Sequence, residues 1–197
     1  MTRLIRGERS FASASDFCVG HQNMIGLKRH TVQVLNHHPE WLTMAEDSCW
    51  QIWSSCQKIV VDVQHVGSTS VPGLPAKPIL DIAIGVCDPS DIDDLRKRLE
   101  KMGYIYRGLG TGSIGHLFVR ESAPGVRTEH VHVVLVNSPH WNDYIGFRDI
   151  LRATVAIRDQ YACLKQELAG AFANDRKRYT SGKHRFIQSI LRTDAQQ

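Results

Sequence analysis

The sequence predicts a mixed α+β domain: a mixed sheet with flanking helices, followed by a helical C-terminal third. Three observations predict it. Two β-branched, apolar runs, Ile59 to Val66 and Pro78 to Val86, lie either side of a loop rich in glycine, proline and hydroxyl residues. Two further runs, His116 to Glu121 and Thr128 to Val136, bracket the turn Ala123-Pro124-Gly125 and read as paired strands. From Ser138 onward the periodicity is helical throughout.

Taken in order, Val32-Gln33-Val34-Leu35 alternates and predicts a short strand, broken by His37-His38-Pro39-Glu40. Trp41 to Gln57 has apolar residues at Trp41, Leu42, Ala45, Trp50 and Trp53, spaced for one helical face. The strand Ile59 to Val66 and the central strand Pro78 to Val86 follow. Pro89-Ser90-Asp91 opens a helix with acids in its first turn, which runs to Lys101 and stops at Gly103. Tyr104-Ile105-Tyr106 predicts a strand, and the glycine-rich stretch from Leu109 to Gly115 a hairpin turn. The C-terminal third divides into helices at Trp141 to Arg158, Gln160 to Ala173 and Tyr179 to Leu191.

The chain has 197 residues, enough for one domain with a self-sufficient core. Residues 24–197 are expected to form that domain, with the sheet over about 30–137 and the C-terminal helices over about 138–192. Residues 1–23 form an expected N-terminal extension, disordered or preceding the true start, without the apolar core of a secretory signal. A net charge of +4 favours anionic ligands weakly and is too small to indicate a nucleic-acid binder. No run of ~18 apolar residues predicts a membrane span. Five scattered cysteines without a C-x-x-C pair point to reduced thiols and a cytoplasmic setting, not a zinc ribbon or disulfide framework.

The stretch from His65 to Ile84 carries the chemistry. Gly67 lets the backbone approach a bulky anion, and Ser68, Thr69 and Ser70 add hydroxyl donors. Successive backbone N–H groups in such a turn form an anion-binding concavity. Asp81 lies in an otherwise apolar strand, where a carboxylate is costly without a partner such as a metal ion. His130 and His132 alternate with Val131, so both imidazoles project from one sheet face and Glu129 from the other. Two such imidazoles bind a borderline transition metal or, protonated, a phosphate.

The run His65-Val66-Gly67-Ser68-Thr69-Ser70-Val71-Pro72-Gly73-Leu74-Pro75-Ala76-Lys77-Pro78-Ile79-Leu80-Asp81-Ile82 resembles the signature of the GrpB family, within the DNA polymerase β-like nucleotidyltransferase superfamily. The resemblance continues through Glu129-His130-Val131-His132-Val133, Ser138-Pro139-His140-Trp141, Phe147 to Arg152 and Tyr161 to Lys165. It ends at Tyr179 to Ile187 and covers roughly residues 24–192. It implies a nucleotidyltransferase-like mixed sheet. In that superfamily a Gly-Ser pair holds the triphosphate, and two carboxylates one residue apart bind two magnesium ions. Gly67, Ser68 and Asp81 match that pattern. Ala83 stands where the second carboxylate is expected.

Lys77, four residues before Asp81, is placed to neutralise a phosphate as a point charge, with a solvated loop lysine as the blander reading. The resemblance implies that Lys165, Tyr179 and Lys183 contact the nucleotide from the C-terminal helices, a solvated helix face being the alternative. Arg148 and Arg152 are i,i+4 neighbours, and Asp175-Arg176-Lys177-Arg178 reads as a solvated face. Trp141 and Phe147 read as core anchors, and Asp149 as the partner of an arginine.

Three functions follow from these residues. The first is transfer of a nucleotidyl group from an NTP to a small-molecule acceptor, with a divalent metal (magnesium, manganese or a transition ion) held by Asp81, His130 and His132. The second is a nucleotide-binding or regulatory module that has lost catalysis, which Ala83 favours. The family's occurrence fused to dephospho-CoA kinase fits that accessory role. The third is a phosphoesterase built on a histidine-bound metal. Nucleic acid is not an expected partner, because basic and aromatic residues do not alternate along any one strand.

Overall fold

The computed structural model describes residues 25–109 and 115–194. The expected N-terminal extension and positions 110–114 of the expected hairpin turn lie outside the described residues. The strands are β1 (Leu27–Lys28), β2 (Val60–Val66), β3 (Leu80–Val86), β4 (Ile105–Leu109), β5 (His116–Ala123) and β6 (Val126–Leu135). The helices are α1 (Glu40–Cys56), α2 (Ile92–Lys101), α3 (Pro139–Ala153), α4 (Val155–Ala171), α5 (Arg176–Gly182) and α6 (His184–Asp194).

The strands form one mixed sheet in the order β2-β3-β6-β5-β4, with β1 pairing the start of β6. β3 and β6 run parallel; every other pairing is antiparallel. The parallel register sets Asp81 beside His130 and Ala83 beside His132. On the β2 side, Val66 pairs with Asp81 and Gln64 with Ala83. Partners in register share a sheet face, so these residues line one side.

The opposite side is the main core. Ile82, Ile84, Phe118, Val131 and Val133 pack there against Ile52 and Cys56 of α1 and Leu95 and Leu99 of α2. The site side is covered by α3, whose Trp141 packs on Val66, Ala83 and Val134. Gly85 leaves room for that ring, since a Cβ there would stand 3.1 Å from Trp141. The C-terminal helices clamp the loop after β2, with Leu151 and Tyr161 packing on Val71 and Leu74.

Several expected elements move. The strand expected at Val32 to Leu35 is a single bridge, Leu35 to Ala76, and the first strand is the shorter β1. The buried stripe of α1 is Trp41, Ala45, Ser48, Ile52 and Cys56, while Trp50 and Trp53 face outward. That stripe follows i,i+3/i+4 spacing with mostly small residues, which bring the helix close to the sheet. The single helix expected from Trp141 to Arg158 breaks at Thr154, whose backbone is extended (φ −118°, ψ 98°). The helix expected from Tyr179 to Leu191 is two helices joined at Lys183. Ser138 caps α3 as its sequence suggests, accepting from the Trp141 N–H at 3.2 Å with Pro139 at the first helical position.

Glu129 secures β6 from the core side. Its carboxylate accepts from Tyr104 Oη at 2.6 Å, Ser48 Oγ at 3.1 Å and Arg120 Nη1 at 3.1 Å. A buried carboxylate with three donors is affordable where a lone one is not. The thiols of Cys49, Cys56, Cys87 and Cys163 are free. No helix of the described residues is long and apolar enough to cross a membrane.

Phe118 of β5, in register with Val131 of β6, is fully buried in the main core. Phe118→Ala is therefore expected to cost about 3–5 kcal/mol of unfolding free energy. Guanidinium denaturation checks it, and a midpoint equal to that of the parent protein would contradict the placement of this ring.

Candidate functional site

The site begins where β2 ends. Gly67 has φ 68° and ψ −170°, a conformation that is essentially glycine-only. A Cβ on it would lie 2.6 Å from Asp81 Oδ2, so the turn also requires the absence of a side chain. Ser70 Oγ donates to the Gly67 carbonyl at 2.6 Å, and the short 3-10 turn Ser68–Ser70 carries the chain away. Thr69 is buried, and its hydroxyl contacts His65 Nε2 at 3.0 Å. Burial pushes His65 down to about 4, so it is neutral there. Thr69 and Ser70 thus hold the loop's shape, while Ser68 is half-buried.

Two arginines of α3 brace this turn from behind. Arg152 donates from Nε and Nη2 to the Ser70 carbonyl at 3.1 and 2.8 Å. Arg148 donates from Nη1 to the His65 carbonyl at 3.1 Å and to Gln64 Oε1 at 2.8 Å. Arg148 also pairs with Asp149 at 2.7 Å, as expected of that acid.

Asp81 is the centre. Its Oδ1 lies 3.2 Å from His130 Nδ1 and 3.7 Å from His132 Nε2. Burial alone would raise the carboxyl, but the hydrogen bonds from the two imidazoles outweigh it and hold Asp81 well below the usual carboxylate range. Burial lowers His130 in spite of Asp81. His132 packs on the Tyr144 ring at a centroid distance of 5.1 Å. The magnesium pair implied by the fold does not fit these residues. Ala83, the place of the second carboxylate, is fully buried among Val66, Val134 and Trp141.

A wall of cations faces Asp81. Lys77 and Lys183 both lie over the Tyr179 ring, at 5.3 and 4.8 Å from its centroid. Burial, then the charges of Lys183 and Arg176, push Lys77 down to about 7. Burial also lowers Lys183, with Asp81 opposing that shift. Arg176 approaches His130 Nε2 at 3.5 Å. Arg176 is the residue that reading the sequence missed, because it sits inside a charged run that looks solvated. Its signal is positional: Asp175 caps α5 and makes Arg176 the first residue of that helix.

The structure therefore brings Gly67 with its neighbour Ser68, Lys77, Asp81, His130, His132 and Lys183 together, while Tyr179, 1% exposed, lies beneath the two lysines as part of the core and not as a nucleotide contact. It places Lys165 differently. That side chain is 1% exposed, donates to the Pro75 carbonyl and lies 4.8 Å over the Tyr161 ring. Lys165 braces the loop from inside.

Comparison with known proteins gives the family. The GrpB protein family matches residues 31–193, and the chain belongs to it. It is 30% identical over 171 residues to the glutamate-rich protein GrpB of Alkalihalophilus pseudofirmus, covering 85% of this chain and 98% of that one. A UPF0157 protein of Streptomyces coelicolor is 41% identical over 130 residues, 66% of this chain and 67% of its own. The crystal structure of the conserved protein GrpB from Enterococcus faecalis superposes with a TM-score of 0.74 at 31% identity, covering 82% of this chain and 96% of that one.

Two outcomes test this geometry. Gly67→Ala is expected to lower stability by about 1–3 kcal/mol through backbone strain alone. Chemical denaturation measures it, and a loss below about 0.5 kcal/mol would be inconsistent with the positive φ. The second concerns Lys165, which burial pushes from 10.5 down to about 6. Protonating it in the fold is unfavourable, so the penalty is absent above 10.5, grows as pH falls, and is complete below about 6. Stability is thus expected to rise with pH from 6 upward, and Lys165→Met to flatten that rise. Parallel slopes for the two proteins between pH 6 and 9 would refute it.

Proposed function

We propose that the protein binds a nucleoside triphosphate across the Gly67-Ser68 turn and transfers its nucleotidyl group to a small-molecule acceptor. The observation that carries this reading is an imbalance of charge. Lys77, Lys183 and Arg176 converge on the cleft, and Asp81 is the one acid whose charge acts on all three. A polyphosphate supplies the missing negative charge.

In the reaction an acceptor hydroxyl or amine attacks the α-phosphorus. The bond from that phosphorus to the bridging oxygen breaks, pyrophosphate leaves with the electron pair, and the acceptor's proton passes to water. Ser68 and the turn orient the phosphates, while Lys77 and Lys183 stabilise charge on the departing pyrophosphate. A divalent ion at Asp81 supplies Lewis-acid polarisation when bound.

A second reading is favoured by Ala83. With that position apolar and sealed, the cleft serves as a nucleotide-binding regulatory module without turnover.

Thermal-shift titration with the four NTPs, with and without magnesium or manganese, tests both. Ligand at 100 times its Kd adds about 2.7 kcal/mol. The shift is expected with nucleotide and to be lost in Asp81→Asn and Lys183→Ala. Pyrophosphate release in the presence of acceptor supports transfer, and binding without release supports the module. No shift with any nucleotide in a cooperatively melting protein rejects both.

A further inference from the structure

We infer that Asp81, His130 and His132 hold a single four-coordinate transition-metal ion of the zinc type, and not magnesium. The assignment shares the cleft of the proposed reaction but does not need that reaction.

The distances carry it. The three candidate ligand atoms, one from each side chain, lie within 4.8 Å of one another. Asp81 Oδ1 stands 3.2 Å from His130 Nδ1 and 3.7 Å from His132 Nε2. In a tetrahedral site with bonds of about 2.0–2.1 Å, neighbouring ligand atoms are separated by about 3.3–3.4 Å. The two edges to Asp81 therefore already stand close to those of such a tetrahedron, and rotation of the imidazoles, whose ligand atoms lie within 4.8 Å, closes the third. Their positions come from rigid elements: adjacent parallel strands place Asp81 beside His130, and His132 follows two residues along the same face. His132 is further held by Tyr144, and β6 is fixed from behind by the Glu129 network.

The donor set decides the class of ion. Two imidazole nitrogens and one carboxylate suit zinc and its neighbours, whereas magnesium takes oxygen ligands in octahedral geometry. The arrangement supplies three protein ligands and leaves the fourth position for water or a phosphate oxygen, the pattern of catalytic zinc sites. Side-chain exposure is graded, 32% at Asp81, 23% at His132 and 10% at His130, so the open position is reached past Asp81 and His132. The sealed apolar surroundings of Ala83 exclude a second ion of the usual pair. Coordination through Nδ1 also places the remaining proton of His130 on Nε2. Arg176 then loses the acceptor it approaches at 3.5 Å, and its guanidinium is left to an anionic ligand.

Cobalt(II) is the probe. Full-length protein, stripped with chelator and dialysed, is titrated with Co(II) in the absence of nucleotide. The expected result is the intense visible d–d absorption of four-coordinate cobalt, saturating at one equivalent, bleached by zinc and unaffected by a large excess of magnesium. His130→Asn and His132→Asn are expected to lose the band or reduce affinity 10-fold or more, with folding checked by circular dichroism. The wild-type titration stands on its own if either variant fails to fold. Absence of the band, saturation at two equivalents, or displacement by magnesium would overturn the assignment. Because nucleotide is absent, this result and the nucleotide thermal shift succeed or fail independently.

Discussion

Asp81 and Gly67 meet so closely that neither residue can be understood alone. The carboxylate occupies the space that a side chain on residue 67 would need, and the turn keeps a backbone conformation that only glycine holds at low cost. This contact joins the end of β2 to the start of β3 across the loop from Ser68 to Ile79. It sets the Gly67 turn directly against the carboxylate. Everything else in the cleft is arranged around that pair.

The remaining partners depend on topology. His130 reaches Asp81 only because β6 enters the sheet parallel to β3, which requires the chain to travel through α2, β4 and β5 before returning. The core face of the sheet makes this return unambiguous. Ile82 and Ile84 face the same helices as Val131 and Val133, so a one-residue slip of β6 would bury the histidines and expose the valines. Glu129 reinforces the register, since its three donors lie on that core face. The apolar pattern on one side of the sheet thereby fixes the ligand geometry on the other.

Much of this was legible in the residues, for definite reasons. The alternation His130-Val131-His132 states its own facing, and an aspartate isolated in an apolar strand calls for partners such as the two imidazoles beside it. Trp141 and Phe147 are apolar at helical spacing and pack as core. What could not be read was set by long-range packing. Thr154 breaks a helix that local propensity would continue, because β-branched residues only weaken helices. Trp50 and Trp53 lie outward because smaller residues of α1 take the sheet side. Arg176 looks like its neighbours Lys177 and Arg178 until α5 is docked beside His130. Lys165 looks like a phosphate ligand until its burial against Pro75 and Tyr161 is seen.

The cation wall has a cost that its position explains. Lys77 and Lys183 share one aromatic ring; burial lowers the proton affinity of both, Lys183 lowers that of Lys77 further, and Arg176 adds to the repulsion on each. Nothing in the packing requires three cations there, because apolar side chains of similar size would cover Tyr179 without the desolvation penalty. A fold does not gain stability from such a cluster. The two arginines that brace the turn illustrate the contrast, since Arg148 and Arg152 each meet carbonyl oxygens and Asp149 and leave no charge unspoken for. The difference between the two sets is one of satisfaction: Arg148 and Arg152 are met by oxygen acceptors within the protein, whereas Lys77, Lys183 and Arg176 face one another with Asp81 as the acid acting on all three.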